Sequence, residues 1–170
     1  ARIENSTQTL NAFSDTGDDA DVDRNYNDVL PSINLTYSPT ETFNFRAGYS
    51  KTLARPEFRE LASFTYFDFV ANELVQGNPG LTRSLINNFD LRFENFAGAG
   101  ELYAVGLFYK DFKDPIEQIL VASSSFEPTR SYRNAMSAIT YGIELEVRKS
   151  LGFVSSWFNE FSFVGNVALM

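Results

Sequence analysis

The sequence predicts an all-β fold, an antiparallel up-and-down meander with short turns at one end and long loops at the other. Three observations carry this reading. Apolar and polar residues alternate with period two in segment after segment. Helical periodicity is scarce. Short connections alternate with long ones along the chain.

Taken in order, "ARIENSTQTL" (1–10) is a weak strand, and a long link over 11–27 follows it. The first clear hairpin pairs 28–37 with 42–51 through "SPTE". In 42–51, Phe43, Phe45, Ala47 and Tyr49 share one face, while Asn44, Arg46, Gly48 and Ser50 take the other. The second hairpin pairs 84–95 with 100–111 through "FAGA". There Phe89, Leu91 and Phe93 oppose Asn88, Asp90, Arg92 and Glu94, and Tyr103, Val105, Leu107 and Tyr109 continue the apolar face. The third hairpin pairs 138–149 with 156–169 through "SLGFVS". Tyr141, Ile143, Leu145 and Val147 oppose Gly142, Glu144, Glu146 and Arg148; Trp157, Phe161, Phe163, Val167 and Leu169 line the last strand's apolar face.

Between the hairpins lie the long links 52–83 and 112–137. Pro56 fixes its own φ and biases Arg55 toward extended backbone, which ends a strand there. "RPEFRELASF" has the pattern of a short helical turn, Asn78-Pro79-Gly80 is turn chemistry, and "FKDPIEQILVASSSFEPTRSYRN" reads as a small hairpin projecting from the rim. Long loops are uncommon in compact domains. Here they fall at one end of the meander, which makes it a two-ended object.

Composition narrows the partners. The 170 residues carry a net charge of −8 and no basic cluster, which argues against nucleic acid. Without cysteine or histidine there is no disulfide framework, zinc site or histidine-based catalysis. Nothing indicates a catalytic residue or a cofactor, and the chain is read as no enzyme. Glu144 and Glu146 are ordinary face-mates two residues apart on one strand. No segment reaches the ~20 apolar residues of a membrane helix, but barrel strands send only alternate residues to lipid, so hydropathy averages out. The 15% aromatic content, with tyrosines at strand ends, suits the interfacial girdle of a membrane barrel. A soluble β-sandwich binding or adhesion module alternates in the same way, and a β-rich hydrolase is a more distant alternative. The first two differ in what covers the apolar face, lipid or a second sheet.

Four blocks point further: "LPSINLTYSPTETFNFRAGYSKTLARPEFRELASF", "GNPGLTRSLINNFDLRFENF", "GLFYKDFKDPIEQ" and "YRNAMSAITYGIELEVRKSL". In this order they resemble the late barrel strands of TonB-dependent outer-membrane receptors, especially Bacteroidetes-like ones, from about Tyr26 to Leu151. The resemblance implies a large barrel in the outer membrane of a Gram-negative bacterium, importing a siderophore, cobalamin or glycan. The expectation is a single barrel segment over 1–170, from the C-terminal half, with no plug, signal peptide or TonB-contacting segment. Its expected partners are outer-membrane lipid, the remaining barrel and plug, TonB only through that plug, and a small-molecule or glycan ligand.

On the barrel reading Arg46, Asp90, Arg92, Glu94, Glu144, Glu146 and Arg148 face the lumen. Phe43, Phe45, Tyr49, Phe89, Leu91, Phe93, Tyr103, Leu107, Tyr141, Ile143, Leu145, Val147, Phe161 and Phe163 face lipid. Phe64, Tyr66, Phe67 and Phe69 are candidates for ligand contact from a loop. The acidic run "SDTGDDADVD" (14–23) lacks EF-hand spacing; Asp18, Asp19 and Asp21 are its weak metal candidates.

Overall fold

The computed structural model describes residues 1–12, 20–121 and 129–170. Its elements run β1 (Arg2–Ala12), β2 (Ala20–Leu30), β3 (Ser32–Thr40), β4 (Phe43–Ala54), α1 (Phe58–Leu61), β5 (Thr65–Asp68), β6 (Glu73–Gln76), β7 (Ser84–Gly98), β8 (Glu101–Lys113), β9 (Ile116–Val121), β10 (Thr129–Asn134), β11 (Ser137–Ser150) and β12 (Ser162–Leu169). They gather into two compact units. One holds residues 1–30, 52–86 and 112–138; the other holds 31–51, 87–111 and 139–170. The three long links thus collect in one unit and the three hairpins in the other.

The hairpin unit is built on a six-stranded sheet in the order β12-β11-β8-β7-β4-β3. The six strands lie side by side in chain order, with β5–β6 and β9–β10 intervening in a separate sheet, and both outer strands are open edges among the described residues. The register puts like with like. Ile33 pairs with Tyr49, Leu35 with Ala47 and Tyr37 with Phe45 on one face, while Asn34 opposes Gly48 and Thr36 opposes Arg46 on the other. A bulge between Tyr37 and Thr40 absorbs the Pro39 position ahead of the turn. The β7–β8 turn uses Gly100 at φ +76°, a backbone region that glycine enters without penalty.

The apolar face of this sheet is the exposed one. Leu35, Leu91, Leu107, Tyr141 and Val167 are 62%, 47%, 41%, 69% and 56% exposed. A sandwich would cover those side chains with a second sheet; among the described residues nothing does, and the sandwich expectation fails on that ground.

The unit of long links has its own core, Leu61, Val75, Leu81 and Tyr132, with Leu10, Tyr66 and Ile116 packed against it. Its four-stranded sheet runs β5-β6-β10-β9. The expected hairpin is β9–β10, and the expected helical turn is α1, whose start is secured by reciprocal Glu57–Glu60 capping.

Several boundaries differ from the sequence reading. Residues 20–27 of the expected 11–27 link belong to β2, laddered to β1 from Arg2↔Leu30 to Ala12↔Ala20. The expected strand over 28–37 divides at Pro31, which has no N–H to donate: Leu30 ends β2 and Ser32 begins β3. The 52–83 link contains β5 and β6, and β6 pairs in parallel with β10 in a mostly antiparallel fold. The last strand begins at Ser162 rather than 156. Two 3₁₀ turns, Leu151–Phe153 and Ser156–Phe158, occupy the gap, so Trp157 and Phe161 precede the strand. The side chains of Ser150 and Ser155 accept from the N–H groups of Gly152 and Trp157 and fix those turns.

Candidate functional site

Each sheet strand sends every second residue to the charged face, and five of these residues form a line of alternating sign. Arg46 on β4 donates through Nε to Glu94 Oε2 at 2.9 Å. Arg92 on β7 donates through Nε to Glu94 Oε1 at 2.8 Å and through Nη2 to Glu146 Oε2 at 2.6 Å. Arg148 on β11 closes the line with Nε 3.0 Å from Glu146 Oε1. Glu94 is the most enclosed member, its side chain 9% exposed.

The line crosses β8, which lies between β7 and β11. The antiparallel register that sets Gly106 beside Glu144 sets Ala104 beside Glu146, and Ala104 is 4% exposed. A small residue there leaves room for the arginine to reach over. Ala104 and Gly106 of β8 are thus small, uncharged positions on the charged face, roofed by charges from the neighbouring strands. Asp90 lies on the same face beside Gly48, and the Phe108 ring lies over Gly142.

The opposite face is an aromatic sheet. Phe45 meets Phe93 edge-on at 5.0 Å between centroids, Tyr49 meets Phe89 at 5.0 Å, and Phe89 meets Tyr109 at 6.2 Å. Phe43 joins Phe45 at 4.9 Å. Ile143, Leu145, Val147 and Phe163 sit in the β11–β12 ladder in one parity: Ile143↔Leu169, Leu145↔Val167, Val147↔Gly165 and Lys149↔Phe163. Leu91, Tyr103, Leu107 and Tyr141 are exposed. Phe161 lies outside the ladder, stacked edge-on with Phe158 at 5.9 Å.

In the unit of long links, Phe64, Tyr66, Phe67 and Phe69 line one open cleft of about 490 Å³ with Arg59, Asp68 and Val70. Phe69 and Val70 form the tip of the β5–β6 hairpin and are 88% and 98% exposed. Tyr66 is shared between the cleft and the core. Asp68 Oδ1 accepts from the N–H groups of Val70 and Ala71 at 2.9 and 3.1 Å, and Asn72 completes the turn at φ 55°. Those two N–H groups, with Arg130 behind them, hold the Asp68 carboxyl below the usual carboxylate range. Burial pushes the Tyr132 hydroxyl up.

The sequence reading missed the residues that fasten this cleft. Arg130 Nη1 reaches Glu73 at 2.9 Å and its Nη2 reaches Asp68 at 3.3 Å. Asn134 accepts from Thr82 N–H at 2.8 Å and donates to Asp114 O at 2.7 Å. Nothing in "TRSYRN" marks either residue in advance. A second fastening joins the β1–β2 hairpin to segment 52–86: Arg55 to Glu4 at 2.5 Å, and Arg83 to Asp28 at 2.8 Å, with the Arg83 guanidinium over the Tyr26 ring. Asp18 and Asp19 lie outside the described residues. Asp21 is exposed and opposes Asn11 in the β1–β2 ladder. Among the described residues, no three acidic groups gather as a metal cage would require.

The family profile of the TonB dependent receptor-like β-barrel matches residues 1–169. The chain belongs to this family. TonB-dependent receptor barrels are outer-membrane proteins of Gram-negative bacteria, and they are transporters rather than enzymes. Among solved structures, a variant of the ferric enterobactin receptor of Pseudomonas aeruginosa covers 77% of this chain and 21% of its own at 20% identity, with a TM-score of 0.57. The siderophore receptor PirA of Pseudomonas aeruginosa covers 77% and 27% at 18% identity, TM-score 0.63. The Serratia marcescens hemophore receptor HasR, solved with its hemophore HasA and heme, covers 86% and 27% at 16% identity, TM-score 0.64. At these identities the likeness is one of fold. The chain spans about a fifth to a quarter of the length of these three structures. No curated protein sequence matches the chain.

Proposed function

We propose that the chain forms part of the transmembrane wall and outer loops of a TonB-dependent receptor that takes up a ferric chelate. One observation carries the wall reading. The sheet exposes its aromatic and aliphatic face and lines the other with the Arg46–Glu94–Arg92–Glu146–Arg148 ladder. That inversion suits lipid outside and a hydrated, plug-filled lumen inside. The predicted lipid-facing set then meets acyl chains. Asp90 and Glu144 join the ladder in facing the plug, through which TonB acts. The open edges of β3 and β12 pair with the remaining barrel strands.

Iron carriers are favoured over cobalamin or a glycan for two reasons. The fold neighbours are described as receptors for ferric enterobactin, siderophores and heme. The cleft lined by Phe64, Tyr66, Phe67 and Phe69 also offers ring faces beside Arg59, which suits a flat, anionic, aromatic chelate.

Light scattering of the purified chain with and without mild detergent tests the wall. Monodispersity only in detergent is expected, and a detergent-free monomer overturns the reading. Titrating the receptor that carries this chain with ferric enterobactin, haemin and cyanocobalamin tests the cargo. Cobalamin binding, with none of either iron compound, refutes it.

A further inference from the structure

The β1–β2 hairpin turns a largely polar face toward segment 52–86. Its ladder sets Glu4 opposite Asp28, Ser6 opposite Tyr26 and Gln8 opposite Arg24, all on one face. Gln8 and Asp28 on this face are 8% and 5% exposed. Polar groups buried this far normally have every atom matched.

Here the matching is incomplete and lopsided. Among the described residues, seven enclosed atoms of this seam have no hydrogen-bond partner: Ser6 Oγ, Gln8 Oε1, Arg24 Nη1, Tyr26 OH, Asp28 Oδ2, and Arg55 Nε and Nη2. Five of them can donate; the Gln8 and Asp28 oxygens accept. Their neighbourhood is fixed by the bonds around them. Gln8 donates through Nε2 to Pro56 O at 3.0 Å, while the adjacent Arg55 reaches Glu4 through Nη1. Ser6 stands between Gln8 and Glu4 on that face, so the Arg55 side chain runs past it. Arg55 Nη2 stops 3.9 Å from Asp28 Oδ2, beyond hydrogen-bond reach. Tyr26, across from Ser6, lies under the Arg83 guanidinium.

The charges are as uneven as the hydrogen bonds. Arg55 and Arg83 meet Glu4 and Asp28, but Arg24 has no carboxylate partner among the described residues and donates through Nη2 to Pro79 O. Arg2, which also meets Glu4, has a side chain 73% exposed and sits at the rim. A chain of net charge −8 thus encloses a local surplus of positive charge. Buried charge without a counter-charge is costly.

We propose that this seam binds hydrogen phosphate. The phosphate oxygens accept from Arg24, Arg55 and the hydroxyls of Ser6 and Tyr26, in the forked geometry that guanidinium groups offer to tetrahedral oxyanions. The P–OH donates to Asp28 Oδ2 or Gln8 Oε1. Those two acceptors select an oxyanion that keeps a proton at neutral pH, so sulfate is disfavoured. Enclosure of the seven atoms favours the free ion over a phosphate monoester such as a lipid headgroup. The bound ion ties the hairpin to segment 52–86. The site shares no residue with the aromatic cleft and does not depend on the cargo.

Calorimetric titration of the receptor carrying this chain, in phosphate-free detergent buffer, tests the site with inorganic phosphate, sulfate and glycerol 3-phosphate. Saturable phosphate binding is expected, with both analogues at least tenfold weaker. Ser6→Ala removes one donor and should weaken phosphate by about tenfold or more, and Arg24→Gln should abolish binding. Ser6→Ala keeps the test decisive if Arg24→Gln fails to fold, since a hydroxyl without a protein partner contributes little to the fold. Phosphate binding that Ser6→Ala leaves unchanged lies elsewhere and overturns the proposal. No phosphate binding to the wild type means a seam filled by water and also overturns it. Sulfate bound as tightly as phosphate overturns the selection by Asp28 and Gln8. Glycerol 3-phosphate bound as tightly means an open monoester site and overturns the enclosed one.

Discussion

Leu107 stands at the middle of β8, six residues from either end of the strand, on the aromatic side of the sheet. A strand rises ~3.4 Å per residue, and a tilt of ~40° shortens its climb along the membrane normal to ~2.6 Å. An apolar belt ~25 Å tall then takes about ten residues, and on the proposed lipid-facing reading Leu107 is centred near the midplane. Arginine at that depth costs ~2–4 kcal/mol, whereas near an interface it costs ~0–1 kcal/mol. Leu107→Arg is therefore expected to lower the folded-to-unfolded ratio by about 30- to 700-fold, taking 1.4 kcal/mol per factor of ten. Tyr103→Arg, close to the short-turn end and the Lys149–Glu101 pair, is expected to lose less than about 1 kcal/mol. Urea titration of the receptor carrying this chain in lipid vesicles, followed by the heat-modified mobility of the barrel, measures both. Equal costs at the two positions, or a Leu107→Arg cost under ~1 kcal/mol, would refute the assignment of this face to lipid.

Three further outcomes follow from the geometry. Arg92→Gln removes the donor shared by Glu94 and Glu146, leaving each with one arginine. A loss of about 1–2 kcal/mol is expected by the same titration, and a loss below ~0.5 kcal/mol contradicts the ladder as a structural element. Ala104→Leu fills the space over which Arg92 reaches and overpacks the charged face. A cost of ~1–3 kcal/mol is expected, coupled rather than additive with Arg92→Gln in a double-mutant cycle. Asp68 has a folded-state pKa depressed by its turn N–H groups and Arg130. Its stabilisation is present above the unfolded carboxylate value, ~3.9, and is lost as pH falls through the lower folded one. Carbon-detected NMR should give a midpoint below ~3.9, and protease cutting at Phe69–Asn72 should rise only under more acid conditions than that. A midpoint at or above the free value rules out the turn as described.

What the sequence made legible is what period two encodes. Phe43 to Tyr49, Phe89 to Phe93 and Tyr141 to Val147 each declare a face, and ladders, ring contacts and exposure keep those parities. β2 was not legible because "ADVDRNYNDVL" offers no apolar alternation; its packed positions include Arg24, Tyr26 and Asp28, which are held by charge and hydrogen bonds. β12 starts late because Ser150 and Ser155 cap turns, and a serine reads the same in a strand as in a cap. The charged face could be assigned residue by residue, but its pairing could not. Arg92 skips over β8 to reach Glu146, and that reach depends on how small Ala104 is and on a register absent from local pattern. The Leu74↔Thr129 and Val75↔Arg130 parallel pairs are likewise long-range and short, below what residue preference encodes.

The three chain segments of the loop unit share one interior. Leu61, Leu81 and Val75 come from segment 52–86, Tyr132 and Ile116 from 112–138, and Leu10 from 1–30. Recombination between relatives therefore meets a constraint. Transplanting one loop alone would leave Val75 or Tyr132 facing an unmatched neighbour, whereas the three segments inherited together carry their own filling. Diversification of these segments should proceed by exchange of the trio as a cassette, with the hairpin unit drifting independently.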